Sequence, residues 1–353
     1  MSERTTVTFI PGDGIGPEIT AAMRRVVEAT GVELSFDVQH AGDGAHRKLG
    51  HPVPAATIES LRRNKVGIKG PLIVPWRSPV VQLPGTEERY ATPNAALRGA
   101  CRAFANVRPA RLFPGVPSRF QDVNVDMVVV REVSEGAYLG RERRIDADHA
   151  EATAATSRGG SERIARFGFE LARKQGRGRV HAIHKANVFD QTDGLFLDAF
   201  YDVAKEYTEI EAVDIMIDAS MAAMIRDPSQ FDVIVAPNQY GDILSDLTAA
   251  IVGGLGMGPG ANHGAEISVF EACHGAAPDI AGQGIANPMA VILSAAMMLD
   301  HLGHDDAATR VRSAVARFFV KGEGLTPDLG GSGTTQGVAD RLVELLEQPP
   351  GAR

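Results

Sequence analysis

Short apolar runs alternate along the chain with longer stretches in which apolar residues are spaced three and four positions apart. The first run ends at Ile10, and Pro17 then opens a stretch with one apolar face between Ile19 and Val27. This spacing is typical of a helix with one buried face, and short apolar runs are typical of buried strands. Strands are predicted at residues 7–10, 66–68, 125–130, 180–183 and 233–236. Their alternation with helices predicts an α/β architecture.

Two later helices differ in how much of their surface is apolar. Residues 194–207 carry apolar side chains from Phe196 to Tyr207 on one side. Residues 289–302 are apolar nearly all round, so we expect this helix in a core or in a subunit interface.

Length and charge narrow the class of protein. The chain has 353 residues, with 36 Lys and Arg against 44 Asp and Glu, which gives a formal net charge of −8. At roughly 150 residues per domain, this length predicts about two domains. The acidic balance, without a basic block, argues against nucleic acid or a membrane as a partner. Residues 1–5 carry no targeting pattern, so we expect a cytoplasmic protein.

Cys101 and Cys273 are the only cysteines, which excludes a disulfide framework and a four-thiolate metal site. Cys273 precedes His274, and these residue types suit a thiol nucleophile with its base. Sequence neighbours rarely face each other as a catalytic pair must, so we do not expect this pair to be catalytic.

Residues 12–17 read Gly-Asp-Gly-Ile-Gly-Pro between the first predicted strand and helix. A dinucleotide fingerprint would need a glycine where Pro17 stands. The loop is therefore either a weak phosphate cradle or a tight turn into the helix.

Asp242 and Asp246 follow the predicted strand 233–236 and are four residues apart. On a helix they share a face and repel each other, which favours a cation between them. Oxygen ligands of this kind select Mg²⁺ or Mn²⁺. The alternative is a solvated helix start, where Asp is common.

Four cationic residues are candidates for binding or proton transfer. Planar guanidiniums match carboxylates, so Arg98, Arg108 and Arg131 would suit a di- or tricarboxylate if they converge. Their spacing leaves open that they are three separate surface or ion-paired arginines. Lys185 follows the predicted strand 180–183 and is either a base whose neutral form burial favours or an ordinary surface lysine.

These residues lie in motifs whose order resembles the isocitrate/isopropylmalate dehydrogenases, a family of metal-dependent β-decarboxylating dehydrogenases. The resemblance covers nearly the whole chain, and several motifs in the right order are far more specific than one alone. The matching stretches are residues 12–18, 69–72, 94–98, 106–109, 128–136, 184–187, 226–231, 238–246 and 271–282.

The resemblance implies a non-Rossmann α/β fold with two domains around a central cleft. Residues 1–98 and 257–353 would form a large α/β domain on the cofactor side. Residues 99–256 would form a small central domain for substrate, metal and dimerisation. A homodimer with shared active sites is implied, because Lys185 and Asp218 would act in the site of the partner subunit.

The resemblance also assigns roles to individual residues. A small polyanionic substrate would be bound by Thr92, Asn94, Arg98, Arg108 and Arg131. The cation, Mg²⁺ or Mn²⁺, would be bound by Asp242, Asp246 and the partner subunit's Asp218. It would lower the pKa of the substrate hydroxyl so that Lys185 removes the proton, and Tyr138 would protonate the carbon after CO₂ is lost. Nearby cationic charge is expected to ease proton loss from the Tyr138 phenol.

The implied cofactor is NAD. In the family, an acidic residue at the position of Asp279 accepts hydrogen bonds from the adenosine ribose and repels a 2′-phosphate. NADP-preferring members carry Lys and Tyr where this chain has Asp279 and Ile280. The adenine side would be lined by His274, Gly275, Ala277 and Asn287.

Isocitrate or a close analogue is the favoured substrate, because the motif at Lys69 and the three arginines suit a tricarboxylate. The segment 76–93 is longer than the usual glycine-rich loop, and Arg77 and Arg89 in it would serve an additional anionic group unless both are solvated. The alternatives are a specialised-metabolism enzyme for a phosphonate or malate analogue, an isopropylmalate dehydrogenase, or a non-catalytic regulatory subunit. Retention of Tyr138, Lys185 and the metal-binding aspartates argues against the last.

Overall fold

The computed structural model describes residues 5–75 and 80–348 of the chain. Its strands are β1 Thr5–Ile10, β2 Leu34–Val38, β3 Val66–Lys69, β4 Val81–Gln82, β5 Arg89–Tyr90, β6 Ala105–Arg111, β7 Asp126–Glu132, β8 Glu142–Arg144, β9 Ala150–Ala152, β10 Arg179–His184, β11 Glu211–Met216, β12 Val233–Ala236, β13 Pro259–His263 and β14 Ser268–Ala272. Its helices are α1 Gly16–Glu28, α2 Asp43–Leu49, α3 Ala55–Asn64, α4 Pro93–Ala100, α5 Arg158–Gln175, α6 Asp193–Ala204, α7 Ile217–Arg226, α8 Asn238–Ile251, α9 Met289–His301, α10 Asp305–Lys321 and α11 Thr335–Glu347.

Ten strands form one mixed sheet in the order β11-β10-β12-β7-β6-β13-β14-β3-β1-β2. Both ends of the sheet are parallel, and the central strands β7, β6, β13 and β14 pair antiparallel. Two short hairpins, β4-β5 and β8-β9, lie outside it. The α/β architecture predicted from the alternating pattern is therefore confirmed, with an antiparallel centre that the pattern did not predict.

All five predicted strands are present, as β1, β3, β7, β10 and β12. The helix predicted over 194–207 ends earlier, at Ala204. Tyr207 is buried, as its apolar spacing suggested, but it lies in the following turn and stacks on Phe169 with ring centroids 5.0 Å apart. The last residue of an apolar pattern can thus be a core residue outside the helix.

The most apolar helix, α9, is buried within a single chain. Its side chains from Met289 to Ala296 are almost inaccessible to solvent, and the helix packs on β13 and β14. Of the two locations expected for this helix, the structure shows the core.

The predicted division into residues 1–98 with 257–353 and 99–256 would cross the sheet between β6 and β13. These strands pair in register from Ala261 opposite Val107 to His263 opposite Ala105. The division into domains stays a prediction.

No helix within the described ranges is both long and apolar enough to cross a lipid bilayer.

Candidate functional site

Arg131 and the first turns of α8 form the centre of a charged cluster. Arg131 lies near the end of β7 and is 2% exposed. Its Nη1 donates to Asp242 Oδ1, and its Nε and Nη2 donate to Asn238 Oδ1 at 3.1 and 2.8 Å. The arginine passes close to α8 because Gly241 has no side chain: a Cβ there would lie 2.6 Å from the Cβ and Cγ of Arg131.

Arg108 brings the two aspartates of α8 together. Its Nη1 lies 3.6 Å from Asp242 Oδ1 and 3.6 Å from Asp246 Oδ1, and it donates to Ser245 Oγ at 2.5 Å. Asp242 and Asp246 share one face of the helix, as their spacing predicted. Burial, with the charge of Asp242 adding to it, raises the pKa of Asp246 against the opposing effect of Arg108.

Arg98 is held by a different pair of side chains, on β13 and β14. Its Nε donates to Asn262 Oδ1 at 2.9 Å and its Nη2 donates to Glu271 Oε1 at 3.2 Å. Glu271 also forms an ion pair with the buried Lys69, with 2.5 Å between Nζ and Oε2. Burial alone would raise the pKa of Glu271, but Lys69 and Arg98 outweigh burial and hold it well below its usual range.

The three arginines lie close enough to repel one another. Burial, followed by the charges of Arg98 and Arg108, lowers the pKa of Arg131 to about 9. Arg131 is therefore still positively charged at neutral pH, and it lies close to the positive charges of Arg98 and Arg108. The three arginines thus lie in one cluster and not apart, although each is ion-paired within it, Arg98 with Glu271 and the other two with Asp242. A cluster of cations of this kind suits an anionic ligand.

Tyr138 lies in the short 3₁₀ turn Ala137–Leu139, where its ring faces Arg131 with the guanidinium carbon 5.5 Å from the ring centroid. Burial and the neighbouring Asp242 raise the pKa of its phenol, and Arg131 opposes them. The expected effect of cationic charge is therefore present, although the net shift of this pKa is upward. Arg131 acts in that direction, but burial and Asp242 outweigh it.

Lys185 and Asp218 form a separate pair within one chain. Lys185 follows β10, Asp218 lies in the first turn of α7, and Nζ is 2.5 Å from Asp218 Oδ1. The backbone N–H of Lys185 donates to the buried Asp193 carboxylate at 2.6 Å, which fixes the loop. Hydrogen bonding to Lys185 lowers the pKa of Asp218.

The residues expected to bind the adenine side lie in the loop after β14 and before α9. His274 Nδ1 contacts Gly275 O at 2.9 Å, while its Nε2 is buried without a hydrogen-bond partner. Ala277 has a φ of 37°, an unusual backbone conformation for a residue with a side chain. Asp279 is exposed, and Ile280 is half-buried beside it. Asn287 donates to Asp328 Oδ2 at 3.0 Å.

The glycine-rich loop between β1 and α1 is a turn whose backbone is bonded to two other loops. The backbone N–H groups of Asp13, Ile15 and Gly16 donate to the carbonyls of Pro71, Ala276 and Asp13. With these donors occupied, the loop cannot present them to a phosphate. Gly14 has a φ of 58°, and a Cβ there would lie 2.0 Å from Ala276 O.

Cys273 is a structural thiol, as expected. Burial raises its pKa to about 11, and Sγ donates to Pro259 O at 3.2 Å. The neighbouring His274 ring is engaged with Gly275. The thiol therefore stays protonated at neutral pH and lacks the character of a nucleophile.

The remaining predicted substrate residues lie at the start of α4. Thr92 caps this helix, with Oγ1 accepting from Ala95 N at 3.1 Å, and Asn94 Oδ1 is buried without a partner. Arg89 is exposed on β5. Arg77 and the other residues of 76–79 lie outside the described residues, so the long loop is described only from residue 80.

A family model for isocitrate/isopropylmalate dehydrogenases matches residues 6–342. The chain belongs to this family. Among solved structures, the fold is similar to isocitrate dehydrogenase from Methylococcus capsulatus, with a TM-score of 0.91 and 45% sequence identity over 97% of this chain and 99% of that one. The isocitrate/isopropylmalate dehydrogenase fold inferred from the motifs is therefore confirmed.

Relatives in the family carry different cofactor names. The chain is 40% identical to isocitrate dehydrogenase [NAD] catalytic subunit 5, mitochondrial, of Arabidopsis thaliana, over 94% of this chain and 85% of the relative. It is 43% identical to isocitrate dehydrogenase [NADP] of Thermus thermophilus, over 98% of this chain and 69% of the relative. Members of the isocitrate/isopropylmalate dehydrogenase family are decarboxylating hydroxy-acid dehydrogenases that use a divalent metal and NAD or NADP, so this protein is an oxidoreductase.

The donor sets fit both groups that the isocitrate/isopropylmalate dehydrogenases use. The Oδ1 atoms of Asp242 and Asp246 both lie 3.6 Å from Arg108 Nη1, so the two carboxylates converge. Carboxylate oxygens are the ligands of Mg²⁺ and Mn²⁺ sites. In residues 5–75 and 80–348 of one chain, no three His, Cys, Asp or Glu side chains are grouped to hold a metal ion. On the cofactor side, the unpartnered His274 Nε2 offers a buried polar atom to a ligand.

Five polar residues of the cluster had no role assigned from the sequence: Lys69, Asn106, Asn238, Asn262 and Glu271. Four of them lie in stretches that resemble the family, and the motif at Lys69 was used only as an indication of the substrate. The in-register pairing of Lys69 with Glu271 on adjacent parallel strands was not readable from the sequence. Asn262 lies outside every stretch that resembles the family.

Proposed function

We propose that this protein catalyses the NAD-dependent oxidative decarboxylation of a 2-hydroxy acid with a β-carboxylate, with isocitrate as the first candidate. The observation that carries this proposal is the charge balance of the cluster around Arg131. Seven ionised side chains form it, namely Lys69, Arg98, Arg108, Arg131, Asp242, Asp246 and Glu271.

Four cations and three carboxylates leave the cluster with one net positive charge. A divalent cation held by Asp242 and Asp246 would raise this charge to three, which matches the three carboxylates of isocitrate. Malate and isopropylmalate carry two carboxylates and would leave one positive charge unpaired. The partner subunit's Lys185 and Asp218 would add a neutral pair, so this balance would not change in a dimer.

The residues of the chain divide the chemistry between them. When bound, the metal ion would polarise the substrate oxygens and NAD would accept a hydride. Arg98, Arg108 and Arg131 hold the substrate carboxylates, which fixes the hydroxyl between the aspartates of α8 and the base. Nζ of Lys185, from the partner subunit, takes the hydroxyl proton after releasing its own proton to solvent and becoming a neutral amine. We propose a homodimer for this reason.

Tyr138 is suited to the later proton transfer. Its raised pKa keeps the phenol protonated at neutral pH, and its position over Arg131 supports a role beside the substrate carboxylates that this arginine would bind. A protonated phenol is the form that donates to carbon after CO₂ has left. Arg131 then stabilises the phenolate that forms.

The preference for NAD is supported by Asp279. Its carboxylate is exposed in the loop that carries His274, and Ile280 stands beside it. A carboxylate accepts hydrogen bonds from ribose hydroxyls, and it repels the 2′-phosphate of NADP. Replacing Asp279 with Lys and Ile280 with Tyr would remove this repulsion.

The proposal is tested with purified protein, Mn²⁺ or Mg²⁺, and NAD or NADP. The substrates are isocitrate, 3-isopropylmalate, malate and a malate analogue with a phosphonate replacing one carboxylate, with reduced cofactor and CO₂ measured together. We expect isocitrate and NAD to give the highest kcat/KM. In Lys185→Ala, loss of the base should lower kcat about 10²- to 10⁴-fold while NAD still binds.

Lys174→Ala on the exposed surface of α5 is the matched control and should retain wild-type turnover. Wild-type protein that oxidises none of the four acids would refute the proposal and favour a regulatory subunit. If the protein turns over only the phosphonate, then the phosphonate analogue and not isocitrate would be its substrate. Unchanged turnover in Lys185→Ala would remove this lysine from the mechanism.

A further inference from the structure

Each of the three arginines expected to bind substrate donates its Nε hydrogen to the amide oxygen of a buried asparagine. The Nε–Oδ1 distances are 2.9 Å for Arg98 and Asn262, 2.6 Å for Arg108 and Asn106, and 3.1 Å for Arg131 and Asn238. All three asparagines are almost inaccessible to solvent. We propose that Asn106, Asn238 and Asn262 are positioning residues, which orient the guanidiniums for the substrate carboxylates without neutralising them. This inference rests on the proposed function.

The register of the central strands places two of these asparagines in one row with an arginine. Asn106 on β6 lies opposite Arg131 on β7 and opposite Asn262 on β13. Residues directly opposite each other in a sheet point to the same face. The antiparallel centre of the sheet therefore brings them together, although they are far apart in the sequence.

Asn262 joins two of the arginines through one amide group. Its Oδ1 accepts from Arg98 Nε and from Asn106 Nδ2, both at 2.9 Å, and its Nδ2 donates to Glu271 Oε1 at 2.7 Å. Asn106 in turn accepts from Arg108 Nε. Because every atom of this amide is used, its orientation is fixed and so are the planes of both guanidiniums.

A neutral amide and a carboxylate would have different consequences at these positions. Both accept from Nε, but a carboxylate would also cancel the positive charge that attracts a polyanion. Two carboxylates do pair with these arginines, but each is shared. Glu271 lies between Lys69 and Arg98, and Asp242 lies between Arg108 and Arg131, so each group of three keeps one positive charge. The asparagines thus orient the cations and preserve their charge for the substrate.

The sharpest test is Asn238→Asp, because the replacement has the same shape and keeps the acceptor for Arg131. Asn238 is the first residue of α8, where a negative charge is tolerated. The variant replaces the hydrogen bond from Nδ2 to Glu135 O with a contact between two oxygens, which is a local cost at the backbone of Glu135. We expect isocitrate, titrated calorimetrically at saturating Mn²⁺ without cofactor, to bind about tenfold more weakly. The affinity for NAD should stay at the wild-type value, which a general loss of structure would not allow.

Asn124→Asp is the control for added charge. Asn124 is exposed and precedes β7, at the end opposite Arg131, so the same change should leave isocitrate affinity unaltered. Asn262→Ala tests the orientation of the Arg98 guanidinium without adding a charge. It should raise the isocitrate dissociation constant more than about tenfold, with a smaller change in kcat and none in the KM for NAD.

The outcomes separate this inference from the proposed function. Wild-type affinity for isocitrate in a folded Asn238→Asp protein would overturn the inference, even if the wild type oxidises isocitrate. A wild type that binds isocitrate without turning it over would refute the proposed function, while the binding data would still decide the role of the asparagines. A wild type that binds none of isocitrate, 3-isopropylmalate and malate would overturn both. If Asn262→Ala does not fold, Asn238→Asp decides alone.

Discussion

The imidazole of His181 is buried in β10, where it packs on Phe231 with ring centroids 4.8 Å apart. Its Nδ1 has no hydrogen-bond partner. Burial, with a further contribution from Arg179, lowers the pKa of His181 from 6.5 to about 4. The folded protein therefore keeps this histidine neutral where the unfolded chain protonates it.

This difference predicts how stability depends on pH. Between pH 6.5 and about 4, the unfolded chain binds a proton at His181 that the folded chain does not. Stability contributed by the neutral imidazole is present above pH 6.5 and falls as the pH drops, by on the order of 3 kcal/mol at pH 4. In His181→Phe, the decline in melting temperature from pH 7.5 to pH 4.5 should be smaller than in the wild type. The exposed His46→Phe is the control and should follow the wild type.

At the scale of elements, Asp13 connects three segments on the cofactor side. Its Oδ2 accepts from the backbone N–H groups of Asp43 and Ile73, and its Oδ1 accepts from that of Gly44, all at 2.9 Å. The carboxylate thus ties the glycine-rich loop to the start of α2 and to the loop after β3. The three backbone N–H groups need two acceptor oxygens on one side chain. An ionised carboxylate supplies both, whereas an amide would present an N–H donor in place of one oxygen.

Asp13→Asn places an amide donor against a backbone N–H that then loses its acceptor. We expect a loss of about 1–3 kcal/mol in the free energy of unfolding, because a buried donor stays unsatisfied. The KM for NAD should rise more than the KM for isocitrate, since Asp13, Gly44 and Ile73 all lie in residues 1–98, which are expected to belong to the domain on the cofactor side. Asp43→Asn removes a charge from the same helix start without losing these three bonds, so a small effect is expected there. Equal effects of both variants would contradict this role for Asp13.

At the scale of the whole molecule, the proposed homodimer assigns two groups of residues of one chain to two different active sites. Lys185 pairs with Asp218, whereas Tyr138 and the aspartates of α8 lie with Arg131. In the described part of the chain, no hydrogen bond or ion pair joins the two groups. This arrangement is compatible with the homodimer proposed above, in which Lys185 and Asp218 act in the site of the partner subunit.

Coexpression of two inactive variants tests this arrangement. A heterodimer of Lys185→Ala and Asp242→Asn has one site with both lesions and one site with neither, if Lys185 acts across the interface. Purified by two different tags, it should show about half of the wild-type turnover per dimer, as two-fold symmetry requires. Each homodimer should be nearly inactive. An inactive heterodimer with intact folding would mean that Lys185 serves its own chain.

Much of the fold was predictable because local patterns determine local structure. Apolar runs identified β1, β3, β7, β10 and β12, and the spacing of Asp242 and Asp246 correctly predicted that they share a helix face. The end of α6 was misjudged because burial of Tyr207 depends on Phe169, a contact that periodicity cannot show. That Arg131 eases proton loss from Tyr138 was expected, but the net rise of this pKa was not, because it depends on the balance of burial, Asp242 and Arg131.

The sequence by itself determined the α/β class, the family and the types of residue in the site, because motifs and periodicity are properties of neighbouring positions. Only the tertiary structure decided that Arg98, Arg108 and Arg131 converge and that each donates to a buried asparagine. These contacts join residues as far apart as Arg98 and Asn262. Their physical cause is the strand register and antiparallel centre of the sheet, which no local stretch of sequence encodes.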